Sequence, residues 1–324
     1  MTITPTRRAI LGGIPAAVLL AGTASAQDAA WPQRRPIQWV LGFAPGGALD
    51  ATTRVVAEKL SRAIGQQVVV ENRTGASGAI AARAVAQAAP DGYTLISLPG
   101  PILYPQAVPG PGRGLTPVTL LALGPMVIAG PAAMGLTTLA QVIEQAKREP
   151  DKWNFGTAGV GSSHHIAGEL LNERAGTRIQ HIPYRGGGGP LVQDLLAGRL
   201  SLAVVGAGPL LPHIQAGTVR AYAVTTAQRF PELSEVPTLV ESGFADIDLG
   251  QWFGTAVPTG TPPAIVARLN QEISRIVREP DTAALLRRQG MQAAGGPAEQ
   301  FGALFAREEA LYADLVKRFA IALE

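Results

Sequence analysis

The sequence predicts an α/β fold in two domains, and three observations carry that prediction. Short apolar runs alternate with amphipathic segments of helical period, the pattern of β–α units. Glycines fall between a strand and a helix three times, at Pro45-Gly46-Gly47, at Gly159-Val160-Gly161-Ser162-Ser163 and at Gly186 to Gly189. A chain of 324 residues, less an N-terminal leader, suits two ordinary domains.

In the first half, Ile37 to Phe43 reads as a strand. Leu49, Thr53, Val56, Leu60 and Ile64 then recur at helical spacing, and Gly65 ends the helix. Gln67 to Glu71 is a strand, Ala79 to Ala88 a helix stopped by Pro90, and Thr94 to Leu98 a strand. Residues 99–117 are rich in Pro and Gly and read as an irregular loop. The plan then repeats. Leu139, Val142, Ile143 and Ala146 mark a helix ending before Pro150, and a short strand near Phe155 leads into the second glycine loop. Ile166, Leu170 and Leu171 mark a helix closed by Gly176; Ile179 to Tyr184 is a strand, and the glycine run starts another helix. Leu200 to Val205, Val219 to Thr225 and Gln251 to Val257 are further strands. The chain ends in helices marked by Ile265, Leu269, Ile273 and Ile276, and by Phe301, Leu304, Phe305, Glu308, Leu311 and Leu315. The alternation implies mostly parallel strands.

The N-terminus reads as an export signal. Arg7-Arg8 precede an apolar run from Ala9 to Ala21, and Ala24 and Ala26 take the small positions of a cleavage site. Cleavage is expected after Ala26. Thr6-Arg7-Arg8-Ala9-Ile10-Leu11 fits a twin-arginine signal and an ordinary Sec signal alike. Removing the leader removes two arginines and leaves a nearly neutral chain, so the pI near 9.4 does not mark a basic patch. No Lys/Arg cluster interleaves with aromatics, which argues against nucleic acid as a partner. The chain has no cysteine, hence no disulfide framework and no lipid anchor at the cleavage site. Nothing suggests a long apolar interface, so a monomer is expected.

The glycine loops carry the chemistry. A helix N-terminus presents unpaired N–H groups and partial positive charge, so it holds an anion without a cationic side chain. Glycine there lets the ligand approach the backbone. In open α/β sheets these loops lie at the carboxyl ends of strands, where ligands bind. One loop in each half would grip two ends of a small acid. Ser162 and Ser163 serve either as N-caps or as donors to a carboxylate. Asp50 and Arg54, four apart, read first as an intrahelical ion pair. Arg185 is either a counter-charge or a surface residue, and Trp252 with Phe253 reads as core or hinge packing before ligand stacking. His164 and His165 are adjacent and cannot form an i, i+4 metal pair; His181 and His213 lie elsewhere in the sequence, so no metal site is expected. Gly161-Ser162-Ser163-His164-His165 lacks the closing glycine of a nucleophile elbow. No dinucleotide fingerprint or Walker lysine follows a glycine loop, and no cofactor is implied.

These residues resemble the Bug (TctC-like) receptors of tripartite tricarboxylate transporters, over essentially the whole chain beyond the leader. The resemblance rests on Phe43-Ala44-Pro45-Gly46-Gly47 with Asp50 and Arg54, Val70-Glu71-Asn72-Arg73-Thr74-Gly75-Ala76 and Pro90-Asp91-Gly92-Tyr93-Thr94-Leu95. It continues through Gly159, Gly161, Ser162, His165 and Glu169, Ile182-Pro183-Tyr184-Arg185-Gly186, Asp194-Leu195, Pro212-His213-Ile214, Ala216-Gly217 and Pro237-Thr238-Leu239. It closes with Glu241, Gly243, Trp252 and Pro258-Thr259-Gly260-Thr261-Pro262. It implies a type II periplasmic binding-protein fold whose two domains close on a small carboxylate, which then passes to a membrane permease. The domains expected are residues 27–128 with 250–324, and 129–249. The ligand contacts expected are Phe43, Pro45, Gly46, Gly47, Ala48 and Asp50 on one side, and Thr157, Ser162, Ser163, His164, His165, Tyr184, Gly206 and Ala207 on the other. Three places depart from the family pattern: the short Pro-rich loop after Leu98, Gly206-Ala207-Gly208 where polar side chains are frequent, and Tyr312 where Trp is common. Such Gly-rich, apolar walls suit a less polar acid, aromatic acids included. Two other readings stand beside capture for transport: a sensory module presenting its ligand to a membrane receptor, and an exported enzyme acting on a carboxylate. The enzyme reading lacks a pair of carboxylates, a metal set or a nucleophile–base arrangement.

Overall fold

The computed structural model describes residues 1–2, 31–75, 78–100, 114–184 and 188–321. The expected leader, beyond its first two residues, lies outside these, as do Ala76, residues 101–113 and Arg185-Gly186-Gly187. In chain order the elements are β1 (Ile37–Leu41), α1 (Ala48–Ile64), β2 (Val68–Asn72), α2 (Ala79–Ala86), β3 (Thr94–Gly100) and β4 (Leu115–Pro131). Then come α3 (Leu139–Arg148), β5 (Asn154–Thr157), α4 (Ser163–Ala175), β6 (Gln180–Pro183), α5 (Gly188–Leu196), β7 (Leu202–Gly206), α6 (Leu211–Gln215) and β8 (Val219–Val224). Last are β9 (Gly250–Pro258), α7 (Pro263–Val277), α8 (Pro280–Arg288), β10 (Gln292–Ala293) and α9 (Ala298–Arg318).

The strands follow the order β2-β1-β3-β9-β4-β7-β5-β6, with β8 and β10 also paired to β4. The pairings β1–β2, β1–β3, β5–β6 and β5–β7 are parallel. Every pairing of β4 or β9 is antiparallel, which corrects the expectation of a mostly parallel sheet. Hydrophobic period reports that a segment is a strand and says nothing of its direction. Residues 99–117 are also not all loop: Pro99 and Gly100 end β3, and Leu115 to Pro117 begin β4.

Strand β4 joins the two lobes. Its 17 residues span about 55 Å at the usual rise per residue. Leu115 to Pro125 pair with β9, while Met126 to Pro131 pair with β7 and β8. The register with β9 slips between Pro117 and Thr119, at a proline that has no N–H for the ladder. At the crossing, the Thr225 hydroxyl accepts from the Met126 amide at 3.1 Å and donates to the Leu249 carbonyl. One hydroxyl thus ties β4, β8 and the entry to β9.

Each lobe buries both faces of its part of the sheet. In the first lobe, Ile37, Trp39 and Leu41 pack with Leu49, Val56 and Leu60 of α1 and with Leu269, Ile273 and Ile276 of α7. Val40, Ile96 and Leu98 point the other way, onto Ala81, Ala82 and Val85 of α2 and onto Phe301 and Phe305 of α9. In the second lobe, Met126 and Ile128 meet α3 and α4, whereas Val127 and Ala129 meet α5 and α6. The alternation of side chains along β4 separates these layers. Burying one such Leu or Ile contributes about 2 kcal/mol.

Helix α9 does not keep to one lobe. Phe301 and Phe305 sit in the first lobe, and Tyr312 and Leu315 in the core of the second. Between them Glu308 is buried and accepts a hydrogen bond from Trp252 Nε1 at 2.6 Å. Trp252 packs edge-on against Phe301, ring centroids 5.1 Å apart, so it is a core residue, as its sequence context favoured.

Candidate functional site

The loop between β1 and α1 ends in two glycines with distinct roles. Gly46 has φ +89°, a conformation that a side chain disfavours. Gly47 is the N-cap, at φ −74° and ψ 167°, and no side chain caps the helix there. The first amides of α1 therefore have no intrahelical acceptor. Asp50, one turn in, is buried and reaches back to accept from the Gly46 amide at 3.0 Å. It also accepts from Arg54 Nε at 3.0 Å and Asn72 Nδ2 at 2.9 Å. Burial works against its charge. The hydrogen bonds from Arg54, Gly46 and Asn72 outweigh burial and hold its carboxyl below the ordinary value. Asp50 and Arg54 form the ion pair expected from their spacing. Asp50 braces the loop, and Phe43 packs beside Gly78 at the start of α2.

A cavity of about 260 Å³ opens at this helix end. Gly46, Gly47, Ala48 and Ala51 line it from the first lobe and Gly208 and Pro209 from the second. Arg288 and Gln289, at the end of α8, complete the wall. Thr52 Oγ1 donates to Gln289 Oε1 at 2.8 Å, which leaves the amide nitrogen of Gln289 without a partner among the described residues. Arg288 likewise has no hydrogen bond or ion pair among the described residues. Among the described residues no acidic side chain lines the cavity, so its polar groups favour an anion.

The two lobes meet beside it. A Cβ on Gly290 would stand 2.3 Å from the Gly208 amide nitrogen, and one on Gly208 would stand 2.4 Å from the Gln289 carbonyl oxygen. Gly206-Ala207-Gly208 thus answers a close approach by the turn after α8. Ala207 is buried, and a side chain on Gly206 would strike Gln251.

The loop between β5 and α4 is differently built. Ser162 Oγ donates to the Gly159 carbonyl at 2.7 Å and accepts from the His165 amide at 3.3 Å. His165 Nδ1 accepts from the Gly161 amide at 3.1 Å, which leaves its proton on Nε2, 3.5 Å from Glu169. Thr157 Oγ1 bonds His181 Nε2 at 2.7 Å, and His181 stacks on His165 with ring centroids 3.7 Å apart. The fold therefore brings together two histidines that are remote in sequence. Burial, and His165 beside it, push the His181 ring down to about 4. His164 points elsewhere: both ring nitrogens are shut from solvent, and neither is hydrogen-bonded among the described residues. Gln251 lies beside the ring without bonding geometry, and burial pushes the ring down to about 4, so it is neutral near pH 7. The Tyr184 hydroxyl is committed to Asp194 at 2.7 Å, and burial and that carboxylate push it up to about 12.

Of the expected contacts, Gly46, Gly47 and Ala48 line the cavity. Pro45 precedes them. Phe43, Asp50, Thr157, Ser162, Ser163, His164, His165, Tyr184, Gly206 and Ala207 stand outside its wall, several of them with their polar atoms already paired within the protein. Arg288 and Gln289 escaped the sequence reading because α8 was not recognised. Pro280 at its first turn and Gly290 just past its end were the available signals. A second, solvent-open groove of about 500 Å³ lies beyond α4, lined by Glu169, Glu173 and Arg178 among others and by no residue of the two glycine loops.

Residues 52–321 match the model of the tripartite tricarboxylate transporter family receptor. The chain belongs to this family. A Pseudomonas sp. (strain P51) relative, the UPF0065 protein in the tcbD-tcbE intergenic region, is 38% identical over 321 residues, covering 97% of this chain and 95% of its own. Among solved structures, a R. palustris protein with adipate has a TM-score of 0.79 at 32% identity, covering 90% of this chain and 99% of its own. The periplasmic binding protein BugD has a TM-score of 0.76 at 30% identity, with 89% and 98% covered. MatC from Rhodopseudomonas palustris with bound malate has 0.76 at 29%, with 88% and 99% covered. Fold and family are thus those of two-domain periplasmic solute-binding receptors.

Proposed function

We propose that this receptor is exported, captures a small carboxylate between its lobes without converting it, and delivers it to a membrane permease of the tripartite tricarboxylate type. The observation that carries the reading is the interlobe cavity. Uncapped α1 amides, Arg288 and the amide nitrogen of Gln289 converge on it, and among the described residues no acidic side chain lines it. Two related structures hold adipate and malate, both small dicarboxylates, which supports the class of ligand. Residues 1–26 are the proposed leader. The proposed domains remain 27–128 with 250–324 against 129–249, with the last turns of α9 docked on the second. The receptor works as a monomer in this reading.

The test is a thermal-shift screen of purified residues 27–324 against mono-, di- and tricarboxylates, amino acids and aromatic acids. Ligand at 100 times its dissociation constant adds about 2.7 kcal/mol. For a chain of this size that raises Tm by several degrees. A shift confined to one class of acid supports capture. No shift with any acid, after co-purified ligand has been removed by partial unfolding and dialysis, sinks it.

A further inference from the structure

We propose that Arg288 is a specificity-determining residue of the cleft, reading the second negative charge of a ligand whose first carboxylate sits on the α1 amides. This rests on the carboxylate-capture reading above and adds to it a residue and a role. Arg288 lines the same cavity as Gly46, Gly47 and Ala48, but from α8, a different element. Its guanidinium has no partner among the described residues, whereas Arg54, Arg174, Arg229 and Arg275 are all paired to carboxylates. An unpaired arginine at the rim of an acid-free cavity has its fork of donors open to a planar carboxylate. Gln289 beside it is held by Thr52 of α1, so the backbone that carries Arg288 is tied to α1 in the first lobe.

The bland account is that Arg288 complements the C-terminal end of the α8 dipole. Arg287 stands in the same last turn and serves that purpose equally, yet it does not line the cavity. It is therefore the internal control. Reading a second charge also departs from the expectation that Gly-rich walls select a less polar acid.

The experiment measures dissociation constants by calorimetry for matched pairs that differ by one carboxylate: succinate and butanoate, adipate and hexanoate, terephthalate and benzoate. The wild-type protein should bind at least one diacid about tenfold or more tighter than its monoacid. Arg288→Gln should reduce that ratio to about threefold or less, by weakening the diacid far more than the monoacid. Arg287→Gln should keep the wild-type ratio, and Arg288→Lys most of it. Raising the salt concentration should shrink the wild-type ratio toward that of Arg288→Gln, because the arginine is exposed. The proposal is overturned if Arg288→Gln keeps the ratio, if Arg287→Gln loses it equally, or if the wild type binds monoacids as tightly as diacids. Binding of no acid by the wild type is a different failure, since it removes the carboxylate reading itself.

Discussion

The two glycine-rich loops look alike in sequence and differ in what they leave unsatisfied. After β5, the Gly159 amide is taken by Thr157, the Gly161 amide by His165 and the His165 amide by Ser162, which leaves the Ser163 and His164 amides open among the described residues. After β1, only the Gly46 amide is taken, by Asp50, and the helix behind Gly47 starts without a cap. A loop with a serine N-cap that takes most of its own donors is a stable wall. A loop that leaves amides open at a positive helix end is an anion site. Under the proposed function this difference puts capture mainly in the first lobe, while the second meets it through Gly208 and Pro209.

The sharpest way to break this asymmetry is Gly47→Asp. The backbone there is ordinary for any residue, and a Cβ would meet nothing closer than the Ala44 carbonyl oxygen at 4.0 Å. Aspartate is a favoured N-cap and would accept from the amides that the ligand needs. Affinity should fall at least about 100-fold, or about 2.7 kcal/mol, while Tm holds or rises. Unchanged affinity in calorimetry would take the first loop out of the site.

How much of this was readable beforehand follows from what each signal reports. Helix α1 and its glycine loop were legible because Leu49, Val56 and Leu60 keep period and Gly65 closes the helix at φ +66°. The long crossing strand β4 was hidden by Pro117, Gly124, Pro125 and Gly130, which are turn residues by composition. Pro117 sits at a register slip and Gly124 and Pro125 at the change of lobe, while a Cβ on Gly130 would stand 2.8 Å from the Ser201 carbonyl oxygen. The half of the site contributed by α8 was invisible for another reason. Its nine residues bury only Thr282 and Leu286, so no apolar stripe announces it. The self-capping of the second loop depends on side-chain geometry over five residues, and the Ser162 and Ser163 letters alone fit capping and ligand contact equally.

A second prediction tests whether the two loops keep one geometry as pH changes, through the helix that spans both lobes. Burial pushes the Glu308 carboxyl up from 4.5 to about 7, against the Trp252 hydrogen bond and the attraction of Arg307; Asp248 adds to the rise. A carboxyl raised in the fold contributes stability that is full below pH 4.5 and lost as pH rises through 7. The whole effect is up to about 3 kcal/mol. His164 and His181, depressed to about 4, act in the opposite sense, losing their contribution as pH falls from 6.5 through 4. The difference between wild type and Glu308→Gln isolates the carboxyl, since glutamine still accepts from Trp252 and does not titrate. Relative to the variant, wild-type stability in urea should decline from pH 5 to pH 8. Parallel profiles for the two proteins would show that Glu308 stays ionised and that its contact with Trp252 is wetter than its burial implies.

The smallest expected effect is the most discriminating for the second loop. Ser162→Ala removes the acceptor of the His165 amide and the donor to the Gly159 carbonyl. Loss of an N-cap costs about 1 kcal/mol, so urea unfolding should register it as a shift of the midpoint with an unchanged slope. Affinity for the best acid should change less than about threefold, because the hydroxyl is already committed within the loop. The opposite pattern, unaltered stability with affinity lost, would mean that Ser162 turns from its cap to the ligand when the lobes close. Capture would then be shared between the two loops, and the uncapped α1 terminus would be one grip of two, with Ser162 supplying the other.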